Sequence, residues 1–217
     1  MDSNVFWLFF SFSYIAILAC VGFVLYRYLH FKSESVRKFI HILTSNWIFI
    51  VLYKMDDPTL MLLGPLAFVF INSAFVYLGL GKYLGMDDRK RDNGLIYYPF
   101  SVFLLVFLYT KGIIHKENVV IGVLIMGWGD GLAAVVGTYF GRHRYKIYSR
   151  YKKSVEGTLT MFVVSISILL VFSSVAWHWI ILVAIFSTML ENLTPLGFDN
   201  ITVPILTALV LEVLCRL

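Results

Sequence analysis

The sequence predicts an all-α polytopic membrane protein of about eight transmembrane helices, some of them broken. Three observations carry that prediction. Apolar residues make up 59% of the 217 and charged residues only 14%, against about 25% charged in soluble domains. The apolar residues gather in runs approaching the roughly 20 residues that a bilayer crossing needs. The lysines and arginines fall in alternate loops between those runs. With a mean hydropathy of +0.81, the chain has little room for a soluble domain. It shows no internal repeat or low-complexity segment, and residues 1–217 read as one integral membrane domain.

In order, the predicted spans are 4–26, 39–54, 59–80, 95–111, 118–140, 157–175, 177–191 and 201–215. The first contains "IAILAC", which has the look of a lipoprotein cleavage site. No basic residue precedes it, so the helix is expected to be retained. The second and seventh runs are short, and Trp177 and Trp179 at the head of the seventh suit an interfacial belt. Cys20 and Cys215 are too far apart to give metal spacing or a disulfide framework, and are read as buried, inert thiols.

Basic residues set the orientation. Arg27, Lys32, Arg37 and Lys38 follow span one; Lys82, Arg89, Lys90 and Arg91 follow span three; Arg142, Arg144, Lys146, Arg150, Lys152 and Lys153 follow span five. These are 14 of the 18 lysines and arginines, whereas the other face keeps Lys54, Lys111, Lys116 and Arg216. The positive-inside rule makes the three basic loops cytoplasmic and puts the N-terminus outside. A basic excess explained by topology and anionic headgroups points to the bilayer as partner, with no nucleic acid expected.

Four polar patches converge on that basic face. "SESVRKFIH" enters span two with Arg37 and His41 one helical turn apart and Lys38 three residues from His41. In "MGWGDGLAAVVGTYFG" Asp130 lies within span five, about 18 Å along a helix. A charge there costs about 2.5–3.5 kcal/mol on insertion scales, which marks a functional site. Gly127, Gly129 and Gly131 can open the helix around it, and Ala133, Ala134, Gly137 and Gly141 continue as a groove with little side chain. The groove leads into "GRHRYKIYSRYKKSVEGT", where Lys153, Ser154, Glu156, Gly157 and Thr158 stand at the mouth of span six. Hydroxyls and free backbone N–H groups at a helix start, backed by lysine, suit a phosphate; ordinary helix capping is the alternative. In "ENLTPLGFDNITVP", Glu191 and Asp199 with Asn192 and Asn200 are hard oxygen ligands of the kind Mg²⁺ takes beside substrate phosphates. Carboxylates in one loop and cations in two others form what a metal–polyphosphate site needs. No Walker A loop, glycine-rich kinase loop, G-x-S-x-G or HExxH occurs, which excludes the familiar soluble mechanics.

In this order, "RKFIH", "DGLAAVVGTYFG", "KSVEGTLTMF" and "ENLTPLGFDNITVP" resemble the CTP-dependent polyprenol kinase family of dolichol, phytol and diacylglycerol kinases, over roughly residues 34–206. Phosphatidate cytidylyltransferases look like more distant relatives, but their Gly- and His-rich C-terminal signature before an Asp-Arg pair is missing. The resemblance implies phosphoryl transfer from CTP to the hydroxyl of a membrane lipid alcohol, with a divalent cation such as Mg²⁺. It implies that Arg37, Lys38, Asp130 and Gly137 are required, and that Lys153 and Glu156 belong to the nucleotide-side motif. Gly131, Ala134, Gly141, Ser154, Gly157 and Thr158 join the nucleotide set, and Asp130, Glu191, Asp199 and Asn200 the metal set. Asp130 and His41 both stand as candidates for the proton acceptor. A cytidylyltransferase and a transporter with a midplane site are the alternatives; the oligomeric state stays open.

Overall fold

The computed structural model describes residues 3–80, 93–148, 151–195 and 197–217. The predicted loop holding Lys82, Arg89, Lys90 and Arg91 lies outside them, as does Arg150.

Each predicted span finds a helix. Helix α1 (Ser3–Arg27) is predominantly apolar and ends on Arg27. The second span instead begins at Ser33, with Glu34 in its first turn, where a carboxylate favours the helix dipole. It breaks at Asn46 into α2 (Ser33–Ser45) and α3 (Trp47–Lys54). The Tyr14 hydroxyl donates to Leu43 O at 2.7 Å at that break, as does Asn46 N at 3.1 Å. Helix α4 (Pro58–Tyr77) starts on Asp57, whose carboxylate accepts from Thr59 N and Leu60 N, with Pro58 at the first position. Then come α5 (Gly94–Thr110) and the long segment Lys116–Tyr139. That segment is α6 (Lys116–Leu124), a π-helical turn over Ile125–Asp130, and α7 (Gly131–Tyr139).

The expected broken helix is therefore present as a π turn. Its glycines permit close approach: a Cβ on Gly127 would sit 2.2 Å from Ser45 Cβ, and one on Gly129 2.5 Å from Met161 Sδ. Single π turns recur at functional sites because they re-aim the residues around them.

One correction falls on the fifth loop. The sequence reads all-α there, but Arg144–Tyr148 (β1) pairs antiparallel with Tyr151–Ser154 (β2), Arg144 opposite Ser154 and Tyr145 opposite Lys153. The segment RYKIY alternates and is rich in β-formers, so a two-stranded ribbon forms where the chain leaves the apolar bundle. Ser154 then caps α8 (Val155–Phe172), accepting from Gly157 N at 3.1 Å. Helices α9 (Trp177–Leu193) and α10 (Asp199–Cys215) follow, joined by a turn in which Gly197 takes φ +83°.

Segment Lys116–Tyr139 is the axis of the bundle. Val119, Val120, Ile121, Ile125 and Met126 are all fully buried, packed among Val51, Leu105, Met161 and Leu211 of the surrounding helices. Among the described residues four helices (α1, α4, Lys116–Tyr139 and α8) are long and apolar enough to cross a membrane, with α5 and α9 shorter and apolar. Cys20 and Cys215 are free but exposed, contrary to expectation. In such a bundle the outer surface is itself apolar, so a small apolar residue gains nothing by facing inward.

Candidate active site

At one end of the bundle the N-terminal half of α2, the π turn with α7, the hairpin, the head of α8 and the α9–α10 turn enclose a cavity of about 290 Å³. Its lining carries four cations (Arg37, Lys38, Arg144, Lys153) and four carboxylates (Glu34, Asp130, Glu191, Asp199). Residues as far apart in sequence as Glu34 and Asn200 thus meet in one polar chamber under an apolar bundle.

The carboxylates form its floor. Asp130, Glu191 and Asp199 present oxygens within 4.8 Å of one another, Asp130 and Glu191 being buried. Three carboxylates this close form a set of hard oxygen donors of the kind that could hold a divalent cation. Each of two lysines sits on a member of this cluster. Lys38 Nζ donates to Asp130 Oδ2. Lys153 Nζ donates to Glu191 Oε1 at 2.5 Å and to the backbone oxygen of Glu191 at 2.6 Å. Asn200 donates to Asp199 Oδ1 from its Nδ2 and from its backbone N, both at 3.0 Å, so its amide orients Asp199. Arg37 reaches Glu34 in its own helix at 3.0 and 3.1 Å.

The cavity's groove side is built from Ala133, Ala134, Gly137, Ser154, Gly157 and Thr158. A Cβ on Gly137 would lie 2.9 Å from Ser154 Oγ, which leaves α7 and α8 in close apposition there. Ser154 is the α8 cap as well as a lining residue. Tyr145 from the hairpin ties the opposite wall. Its hydroxyl donates to Asn192 Oδ1 at 2.6 Å and meets Thr158 Oγ1, which itself donates to Asn192 Oδ1 at 3.3 Å.

Most of the sequence-predicted residues therefore gather in one place: Arg37, Lys38, Asp130, Ala134, Gly137, Lys153, Ser154, Gly157, Thr158, Glu191, Asp199 and Asn200 all line it. Four do not. Gly131 faces Ile42, and Gly141 packs on Ser154. Glu156 turns outward to His143, accepting from its backbone N at 3.1 Å and meeting Nδ1 at 2.8 Å, which fastens the hairpin's entry. His41 stands behind Asp130, its Nε2 3.9 Å from Asp130 Oδ2 and its ring 4.4 Å from that of Tyr98. Tyr145 was missed by sequence reading, because nothing in a presumed loop says which of its tyrosines turns inward. Glu34 and Arg144 lay within quoted stretches without being singled out.

A membrane-embedded helical enzyme with cations and carboxylates around one polar chamber is the class these features define. Comparison with characterised proteins gives the family. The chain is 32% identical over 208 residues to a phytol kinase from Synechocystis sp., covering 91% of this chain and 87% of that protein. It is 29% identical over 137 residues to a dolichol kinase from Schizosaccharomyces pombe, of which the match covers 25%. It is 24% identical over 148 residues to a CTP-dependent diacylglycerol kinase from the same yeast, covering 65% of it. The chain belongs to the polyprenol kinase family of membrane lipid kinases. No family model matches it, and no solved structure does.

Proposed function

We propose that the protein transfers the γ-phosphoryl group of CTP to the hydroxyl of a membrane lipid alcohol, with catalysis in the chamber around Asp130. The observation that carries this reading is the coincidence of the kinase-family match with a chamber where three carboxylates and four cations face one another. Phosphoryl transfer is mostly positioning and charge neutralisation. Asp130, Glu191 and Asp199 are the residues that would hold Mg²⁺, with Asn200 orienting Asp199. Bound there, the ion would neutralise charge on the phosphoryl group in transit. Arg37, Lys38, Arg144 and Lys153 hold the polyphosphate, and the Gly137 groove gives its oxygens access to α8's first turn, where backbone N–H groups favour an anion. Of the two candidate proton acceptors, Asp130 reaches the chamber and His41 supports it from behind.

The alcohol enters from the bilayer, its chain remaining among lipids and its hydroxyl reaching the chamber mouth. Phytol, the substrate in the name of the 32% relative, is the first alcohol to try. We place the chamber on the cytoplasmic side, with about eight spans and the N-terminus outside. This rests on the basic loops and on lining residues drawn from one end of α2, α8 and α10. Cysteine labelling from outside intact cells tests the side: position 116 reacts and position 153 does not, and the reverse pattern inverts the assignment.

The test of activity is purified protein with labelled CTP against phytol, longer prenols and diacylglycerol. Label must enter the lipid from the γ position. Entry from the α position instead identifies cytidylyl transfer and refutes the kinase reading.

A further inference from the structure

Three of the chamber's cations are already paired, Arg37 with Glu34 in its own helix and two lysines on the clustered carboxylates. Lys38 and Lys153 stand on Asp130 and Glu191, two of the three carboxylates clustered within 4.8 Å. Side-chain exposure is 12% and 25% for the lysines and 7% and 8% for their partners, so these contacts are shielded from water. Carboxylates this close repel one another strongly at low dielectric. In the chamber the two ammonium groups supply the positive charge that offsets this repulsion.

The same oxygens cannot fully serve two cations. An ion that takes Asp130 and Glu191 as ligands displaces the ammonium groups or competes with them. The displaced groups then stand in the polar cavity without the carboxylates that had neutralised them, which is the charge a triphosphate needs.

We propose that Lys38 and Lys153 are exchangeable occupants of the cation position: they hold the carboxylates in the apo enzyme and move to phosphate oxygens when a divalent cation takes their place. The inference rests on the metal–nucleotide reading of the chamber and adds an order to it. Cation alone is opposed by two lysines, and nucleotide alone finds those lysines engaged. Each ligand therefore raises the other's affinity beyond what their association in solution supplies. By reciprocity the enhancement is equal in both directions and reaches at least about fivefold, the lower end of ordinary linked-site coupling. An enzyme built this way keeps its charged chamber neutral until both ligands arrive, which suits a site beneath a bilayer.

The experiment reads the lysines directly. The full chain in lipid nanodiscs is treated with an amine-reactive reagent, and modification of Lys38 and Lys153 is followed by mass spectrometry in three states. These are apo, with saturating Mn²⁺, and with Mn²⁺ plus β,γ-methylene-CTP. Lys116, which lies over the Tyr53 ring at the far end, is the internal reference. Exchange requires a non-monotonic result, with reactivity rising several-fold on Mn²⁺ alone and falling back to the apo level or below when the nucleotide is added. Binding of Mn²⁺ is measured separately by electron paramagnetic resonance. If Mn²⁺ binds and lysine reactivity stays flat, the exchange is wrong while the metal–nucleotide reading stands. If Mn²⁺ binds neither alone nor with the nucleotide, that reading fails and the exchange fails with it; if it binds only with the nucleotide and lysine reactivity never rises, the exchange alone fails.

Discussion

The two ends of the bundle bury carboxylates equally and use them differently. Asp130 at the chamber and Glu212 at the opposite end are each 5% exposed. Glu212 is enclosed by directed donors: His115 N at 2.9 Å, His115 Nδ1 at 3.0 Å, Asn118 Nδ2 at 3.0 Å and Arg216 Nε at 2.8 Å. Arg216 also donates to Ile113 O at 2.7 Å, so the clamp closes the α5–α6 turn onto the end of α10. Asp130, among the described residues, has Lys38 on one oxygen and His41 no nearer than 3.9 Å, while its other oxygen is left for the cavity. A carboxylate satisfied on every side is a structural bolt. One satisfied by a single flexible ammonium, with two more carboxylates beside it, is a site with capacity in hand.

The largest effect expected is at the open end. Asp130→Asn keeps the shape and an oxygen for Lys38 but removes the charge. Turnover should fall by at least about 10²–10³-fold, the scale of losing one preorganised charged stabiliser. Expression should hold and the melting temperature should fall modestly, since Lys38 loses its counter-charge while the repulsion among the clustered carboxylates is eased. Phosphorylated lipid per folded molecule across a Mg²⁺ titration decides it; turnover near wild type would make Asp130 a second bolt and erase the contrast.

Lys153→Ala comes next. It removes one charge-assisted phosphate contact, worth about 1.5–3 kcal/mol, and should raise the nucleotide KM about 10- to 150-fold. The lipid KM should move far less. A change confined to the lipid would reassign Lys153 to the chamber mouth.

Glu212→Gln tests the closed end. Loss of the charge weakens the bonds from His115 and Arg216 and costs about 1–3 kcal/mol of stability. The melting temperature should drop, whereas kcat/KM per folded molecule should stay within about twofold, because the clamp touches no chamber residue. A loss of catalysis without a loss of stability would show that the two ends communicate.

Much of the open end was legible in the sequence, and little of the closed end was. Asp130 among glycines, the lysine before "SVEGT" and the acidic turn after α9 are each anomalous in an apolar chain, and an anomaly in a membrane span is itself a signal. Their convergence followed from the alternation of basic loops. Glu212 is just as anomalous in α10, but its partners lie 94 to 97 residues away, or one turn on at Arg216. No pattern of charge announced the pairing. Local geometry was also hidden. Glu156 looks like part of a nucleotide motif, yet it fastens His143, because the β-ribbon brings that residue to the head of α8. The break at Asn46 interrupts what reads as one apolar run, and no proline or glycine marks it.

That break supplies the smallest effect and the finest test. Trp128 Nε1, in the π turn, donates to Asn46 Oδ1 at 3.1 Å, so the irregularity that carries Asp130 is tied to the irregularity below Lys38. The two charged groups of the Lys38–Asp130 pair thus ride on elements joined by one neutral hydrogen bond as well as by packing at Gly127 and Gly131. Trp128→Phe keeps the ring's apolar bulk and deletes the donor. Trp128 is 39% exposed, so water or headgroups can partly satisfy Asn46, and the cost falls at the low end of about 0.5–1.5 kcal/mol. Stability should drop by that little. Turnover should fall a few-fold with both Michaelis constants unchanged, because what loosens is the aim of Asp130 and not either binding surface. Thermal melting and steady-state kinetics on one preparation measure both. A loss as deep as that of Asp130→Asn would mean that this single bond holds the register of the π turn. No change in turnover would assign the register to glycine packing alone.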